Sequence, residues 1–227
     1  MPRRAQQYVF ALVAAGILTL ASAAALWNCQ SPIRFFACLC LAVLASTFKV
    51  KLPGMEVCIS PNLVPLLFSA GTMSWQETVV TAAAAGVIQT LWRSKGSVQR
   101  VQVLFNGANL AVSMGCAFAI SHGVAPGQVL VQLGIAGVVY EVLNTLSVST
   151  VIQLMTGSPL RATWRNCHLW TFPYQLAAAV IAGLWMQTDA VGISFTVLGA
   201  GGLYLMSTFY QELIERVGPR AESLPGC

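Results

Sequence analysis

The stretch GQVLVQLGIAGVVYEVLNTLSVSTVIQLMT, residues 127–156, decides the fold: thirty consecutive residues hold a single acidic or basic side chain, Glu141. As helix such a run is about 45 Å long, more than the roughly 30 Å hydrocarbon core of a bilayer. It therefore tilts or projects beyond the membrane, with Glu141 near its midpoint. An acid at that depth is expensive, and the default reading is a functional group facing the interior of a helical bundle. Gly134, Gly137, Glu141, Asn144 and Ser147 recur at steps of three or four residues and so share one helical face that is small and polar.

Seven further runs have the same character. Together the eight occupy residues 8–27, 32–48, 57–73, 75–92, 101–122, 127–156, 168–187 and 192–211. Of the 227 residues 56% are hydrophobic and 8% charged, where a soluble domain carries about 25% charged residues. The mean hydropathy is +0.71. This composition excludes a water-soluble globule, a disordered chain and a nucleic-acid-binding protein. The expected fold is all-α: one integral membrane domain over 1–227, a bundle of seven or eight transmembrane segments with a cytoplasmic tail at 212–227. The first run follows Arg3 and Arg4 like a signal peptide, but its length and the spans after it point to a retained anchor.

Charge placement orients the bundle. If the segments alternate from a cytoplasmic N-terminus, then of twelve Lys and Arg only Arg34 falls outside. The others collect at inner junctions: Arg3 and Arg4; Lys49 and Lys51; Arg93, Lys95 and Arg100; Arg161 and Arg165; Arg216 and Arg220. Basic residues gather on the cytoplasmic side of membrane proteins, so both termini are expected there, in a bacterial inner membrane. Tryptophan supports the same registration, with Trp27, Trp75 and Trp185 at outer ends and Trp92, Trp164 and Trp170 near inner ones.

The third segment is irregular. Pro61 and Pro65 leave a regular helix only over about 61–72, some 18 Å, preceded by extended backbone at 55–60. Non-helical backbone at membrane depth is tolerated only where protein or a wet cavity covers it, so this segment points to a pocket. The fifth run repeats the polar spacing of the sixth in Gln102, Asn106, Asn109, Ser113 and Cys116. The two stripes are expected to face each other around a solvated or ligand-filled centre. Glu141, Asn144, Asn106, Asn109 and Ser113 are its candidate ligand-binding residues, and Asn62, Gln89 and Gln175 are placed to close it. Each amide taken singly is also explained by helix packing. His122 and His168 read as interfacial residues.

Catalytic signatures are absent: there is no GxSxG, HExxH or phosphate loop and no pair of intramembrane acids. Seven Cys and two well-separated His fit no zinc or haem spacing. A non-enzymatic protein without metal or cofactor is expected.

The motifs KVKLPG (49–54), SPNLVPLLF (60–68), QTLWR (89–93), VLFNGAN (103–109) and WRNCHLWTFPY (164–174) resemble the N-terminal multi-spanning membrane region of bacterial signalling proteins that carry HD-type phosphohydrolase or GGDEF diguanylate cyclase modules. The resemblance covers residues 46–183 and implies a sensor that passes a signal to a cytoplasmic effector. Here only residues 212–227 follow the last run, so the effector is expected to be a separate partner. Residues 52–89 also look like the substrate-binding membrane subunits of energy-coupling-factor importers, which implies a small-molecule site and an ATPase partner. The leading expectation is a sensor-like, small-ligand-binding module; a transporter or transport subunit and a structural scaffold are the alternatives. Membrane lipids are partners in each case. Gly199, Gly202 and the small residues of 82–86 suit homodimer contacts as well as internal packing.

Overall fold

A computed structural model describes residues 1–29, 31–48, 50–51, 58–59, 61–92, 99–161, 164 and 172–188. The chain divides into two compact units, Met1–Gln187 and Thr188–Cys227. Every described helix belongs to the first. The run at 192–211 and the tail at 212–227 lie outside the described residues.

Seven helices are described: α1 (Arg3–Ala25), α2 (Pro32–Thr47), α3 (Leu63–Thr72), α4 (Trp75–Leu91), α5 (Arg100–Val124), α6 (Val129–Thr156) and α7 (Phe172–Gln187). Each falls on one of the apolar runs. Three of them, α1, α5 and α6, are long and apolar enough to cross a membrane, by length and composition. The helices α2 and α3 and the stretch Gln175–Gln187 of α7 are apolar but shorter.

Local chemistry sets the helix ends. Ser74 and Glu77 form a reciprocal capping box on α4: the Ser74 N–H donates to Glu77 Oε2 at 2.9 Å and the Glu77 N–H to Ser74 Oγ at 3.3 Å. Gly157 closes α6 in the left-handed region at φ 76°, where a residue without Cβ is unstrained. Pro32 and Pro173 sit in the first turns of α2 and α7, where a missing N–H breaks no intrahelical bond.

The third run splits in two. Its regular part is the ten-residue α3, about 15 Å long. The backbone ahead of it is not irregular throughout, as Cys58–Ile59 (β2) pairs antiparallel with Val50–Lys51 (β1), Val50 opposite Ile59 and Lys51 opposite Cys58. This ladder pairs main-chain groups in the lead-in to α3. Residues 52–57 and 60 lie outside the described residues.

The bundle is organised around the α4–α5 pair. Helix α5 also packs on α6 and α1, α4 on α2 and α1, while α3, α6 and α7 pack mutually. Small residues let the backbones approach. A Cβ at Gly86 would lie 2.7 Å from the Asn106 carbonyl oxygen, and one at Gly16 would overlap Ala108. Large apolar side chains face outward, with Phe10 71% and Ile33 86% exposed. The interior holds Asn62, Ser69, Thr78, Thr81, Asn109, Ser113, Glu141, Thr145, Ser149 and Gln175. They lie among buried apolar side chains such as Leu66, Leu67, Met114 and Leu133; large hydrophobics spread over the outer surface as well match a bundle whose outer solvent is lipid.

Candidate functional site

Most hydroxyls in the bundle are engaged by their own helix. Ser46, Thr72, Thr81, Thr90 and Thr150 each donate to the carbonyl four residues back, at 2.7–2.8 Å. Such bonds carry no information between helices. The candidate residues other than Ser113 behave otherwise, since their side chains reach across helix seams.

Asn109 on α5, buried at 1% exposure, donates through Nδ2 to Asn144 Oδ1 on α6 at 2.6 Å. Ser113, one turn along α5, donates to Asn109 Oδ1 at 3.5 Å. Asn106 lies one turn the other way and donates to Thr90 Oγ1 of α4 at 2.8 Å. Asn62, just ahead of α3, donates to Gln89 Oε1 of α4 at 3.3 Å. Glu141 on α6 accepts from Gln175 Nε2 on α7, both residues being buried.

The eight residues thus come together as pairs on adjacent seams and not around one shared point. Asn109, Asn144 and Ser113 meet between α5 and α6, while Glu141 and Gln175 meet between α6 and α7. Asn106 and Thr90 bridge α5 and α4; Asn62 and Gln89 bridge the start of α3 and α4. The physical reason lies in the 100° step of a helix. Glu141 and Asn144 are three residues apart, about 60° around the axis, enough for one stripe to serve two neighbouring helices. None of the eight points to the lipid-facing surface as a fully exposed side chain.

The α6–α7 seam has a chemistry of its own. Glu141, Thr145 and Ser149 stand at successive turns of α6 and are all buried. The Thr145 hydroxyl donates to the Glu141 carbonyl at 2.6 Å and accepts from Trp164 Nε1 at 2.9 Å. Trp164, in the segment that follows α6, is thereby tied down onto this stripe. Beside it the buried Gln175 Oε1 makes no hydrogen bond to any described group, and two turns along α6 from Glu141 the buried Ser149 hydroxyl makes none either. Buried polar atoms without partners are rare and costly, roughly 1–3 kcal/mol each.

Thr90, Thr145, Ser149 and Trp164 escape a reading of the sequence, because a hydroxyl in a helix looks the same whether it bonds to its own backbone or across a seam. Glu77, 2% exposed, is also missed there, although Ser74 followed by an acid three residues on is a readable capping signal. At the α1–α2 turn, Cys29 is held above its ordinary value of 9.0, first by its side-chain hydrogen bond with Glu77, then by burial and the charge of Glu77. His122 lies in the last turn of α5, stacked on Phe118 at 3.9 Å. His168 lies outside the described residues. Among the described residues no three His, Cys, Asp or Glu side chains gather as a metal site.

No family model matches the chain, and neither a curated protein nor a solved structure is similar to it.

Proposed function

We propose that the protein is a non-enzymatic, sensor-like module of the bacterial inner membrane that recognises a small molecule within its helical bundle. In this reading seven or eight segments cross the membrane and both termini are cytoplasmic. The recognition centre is the α6–α7 seam, with Glu141 and Gln175 as the contacting side chains. Asn109, Asn144, Asn106 and Asn62 hold the surrounding helices in register. The basic inner junctions meet anionic lipid and a separate signalling partner.

The observation that carries this reading is the buried Gln175 Oε1 beside the Glu141 carboxyl, left without a donor while the amide nitrogen of the same side chain binds the acid. A seam built only for packing has no use for an acceptor of this kind. Interhelical hydrogen bonds in lipid average only about 0.6 kcal/mol, less than the cost of the orphan, whereas a bound donor would remove that cost.

The test uses the full chain in lipid nanodiscs and a small-molecule extract of the expressing cells. The extract is expected to raise the Tm of the wild type, and Glu141→Leu is expected to insert and fold yet lose the rise. If Glu141→Leu is more stable and still responds, the acid is a packing residue and the reading fails. Accumulation of the stabilising compound inside vesicles would instead identify a transport subunit.

A further inference from the structure

We infer that the end of the α1–α5 pair carrying Arg3, Arg4 and Arg100 is a binding site for an anionic phospholipid. Its phosphate meets the guanidinium groups and its acyl chains run along the exposed faces of the two helices. This gives the lipid contact of the reading above one location, and it rests on the membrane placement in that reading, not on the α6–α7 seam.

Helix contacts bring the three cations to one end. Gly16 of α1 lies against Ala108 of α5, and Thr19 Cγ2 stands 3.5 Å from the Cβ position of Gly115. The contacts advance in the same direction along both chains, so the helices are parallel. Their first turns, with Arg3 and Arg4 on one and Arg100 on the other, therefore lie side by side. All three arginines are exposed. The acids among the described residues are Glu77, at the cap of α4, and Glu141, in the α6–α7 seam. Neither reaches this end. Helix α4 runs antiparallel to α5, with Val79 against Gly115 and Gly86 against Asn106, so Glu77 stands at the far end.

The same helix marks the depth. Its C-cap Trp92 comes level with the arginines and is half-exposed, and indole rings prefer the headgroup level of a bilayer. Deeper along the pair the surface turns apolar. Arg3, Phe10 and Ile17 follow one another at two-turn intervals and share a face of α1, on which Phe10 and Ile17 are exposed. On α5, Val101 and Leu104 follow Arg100 within one turn and are exposed too. A guanidinium group takes phosphate through paired N–H bonds, and phosphate above hydrocarbon is the order in which a phospholipid presents its parts. An acidic protein docking from water would match the cations alone. The last turns of α1 and α5 hold no Lys or Arg, which confines the site to one leaflet.

The experiment follows thermal unfolding of the full chain in phosphatidylcholine nanodiscs with a rising fraction of phosphatidylglycerol, at low ionic strength. Phosphatidylglycerol is expected to raise the Tm with saturable dependence. Arg3→Gln, Arg4→Gln and Arg100→Gln are each expected to weaken the apparent affinity about fivefold. Arg34→Gln, which removes the same charge from the first turn of α2 at the opposite end, is expected to leave it unchanged. Glycerol phosphate added to pure phosphatidylcholine nanodiscs is expected to be silent. A Tm that ignores phosphatidylglycerol overturns the inference. So does a response that Arg34→Gln reduces as much as Arg100→Gln, or stabilisation by glycerol phosphate equal to that by the lipid. Each of these results leaves the recognition reading standing, because that reading is decided by Glu141→Leu against the cell extract.

Discussion

At the scale of single residues, the difference between a polar side chain that decorates a helix and one that joins two helices lies in where its hydrogen bond goes. Asn109 is nearly inaccessible and holds Asn144 across the α5–α6 seam at 2.6 Å. Asn109→Ala is therefore expected to lower stability by about 1 kcal/mol, toward the upper part of the range for interhelical bonds in lipid, measured by reversible unfolding in bicelles. Asn144→Ala should cost a similar amount, and the double variant less than the sum; full additivity would show that the two amides do not interact. Cys29 offers a chemical probe at the α1–α2 turn. Because its hydrogen bond with Glu77 favours the thiol over the thiolate, alkylation of a variant retaining only Cys29 should rise through a midpoint above 9.0. Glu77→Gln should move that midpoint down. The sign for stability follows: a thiol raised on folding contributes fully at pH below its ordinary value and loses that contribution as pH climbs through the raised one. Glu141 and its polar stripe are legible in the sequence, since an acid in the middle of thirty apolar residues has no bland counterpart in water. Gln175 is also read there as closing the same centre, but that its amide is the group on Glu141 is not legible, because Gln175 sits thirty-four residues away on a helix whose facing is set by packing.

At the scale of elements, helix boundaries and close approaches govern which side chains can meet. Helix α4 begins at a capping box that also reaches across to the α1–α2 turn, Ser74 Oγ donating to the Asn28 carbonyl at 2.9 Å. Ser74→Ala is expected to destabilise by about 1 kcal/mol and to raise amide exchange in the first turn of α4. A loss confined to a distant helix would contradict that role. The α4–α5 seam depends on Gly86, where an added Cβ would stand 2.7 Å from the Asn106 carbonyl oxygen. Gly86→Val should cost about 1–3 kcal/mol by overpacking and separate Asn106 from Thr90; unchanged unfolding would mean that the helices do not approach as described. Two prolines and a polar lead-in are enough to anticipate that the third run is short. The pairing of Val50–Lys51 with Cys58–Ile59 is not legible, since a two-residue ladder leaves no periodicity to read.

At the scale of the whole molecule, the orientation drawn from charge is directly testable. In a cysteine-free background, a Cys introduced at position 97 should react only with membrane-permeant reagents from outside the cell, and one at position 123 with impermeant reagents. Gly123 is suited to this, being exposed with nothing within 4 Å of its Cβ position. The reverse pattern would invert the bundle.

Composition and spacing by themselves determined that the chain is helical and suited to lipid and where its apolar runs lie, because hydrocarbon demands long apolar helices and a lone acid stands out within them. They also determined that α5 and α6 carry polar stripes. Only the tertiary structure decided that those stripes resolve into pairs on separate seams, that Glu141 turns to α7 and Gln175, and that Gln175 Oε1 is left without a donor among the described residues. Periodicity assigns a residue to a face of its own helix. Which neighbour covers that face follows from backbone approach at glycines such as Gly86 and Gly16, and that is a property of two helices together.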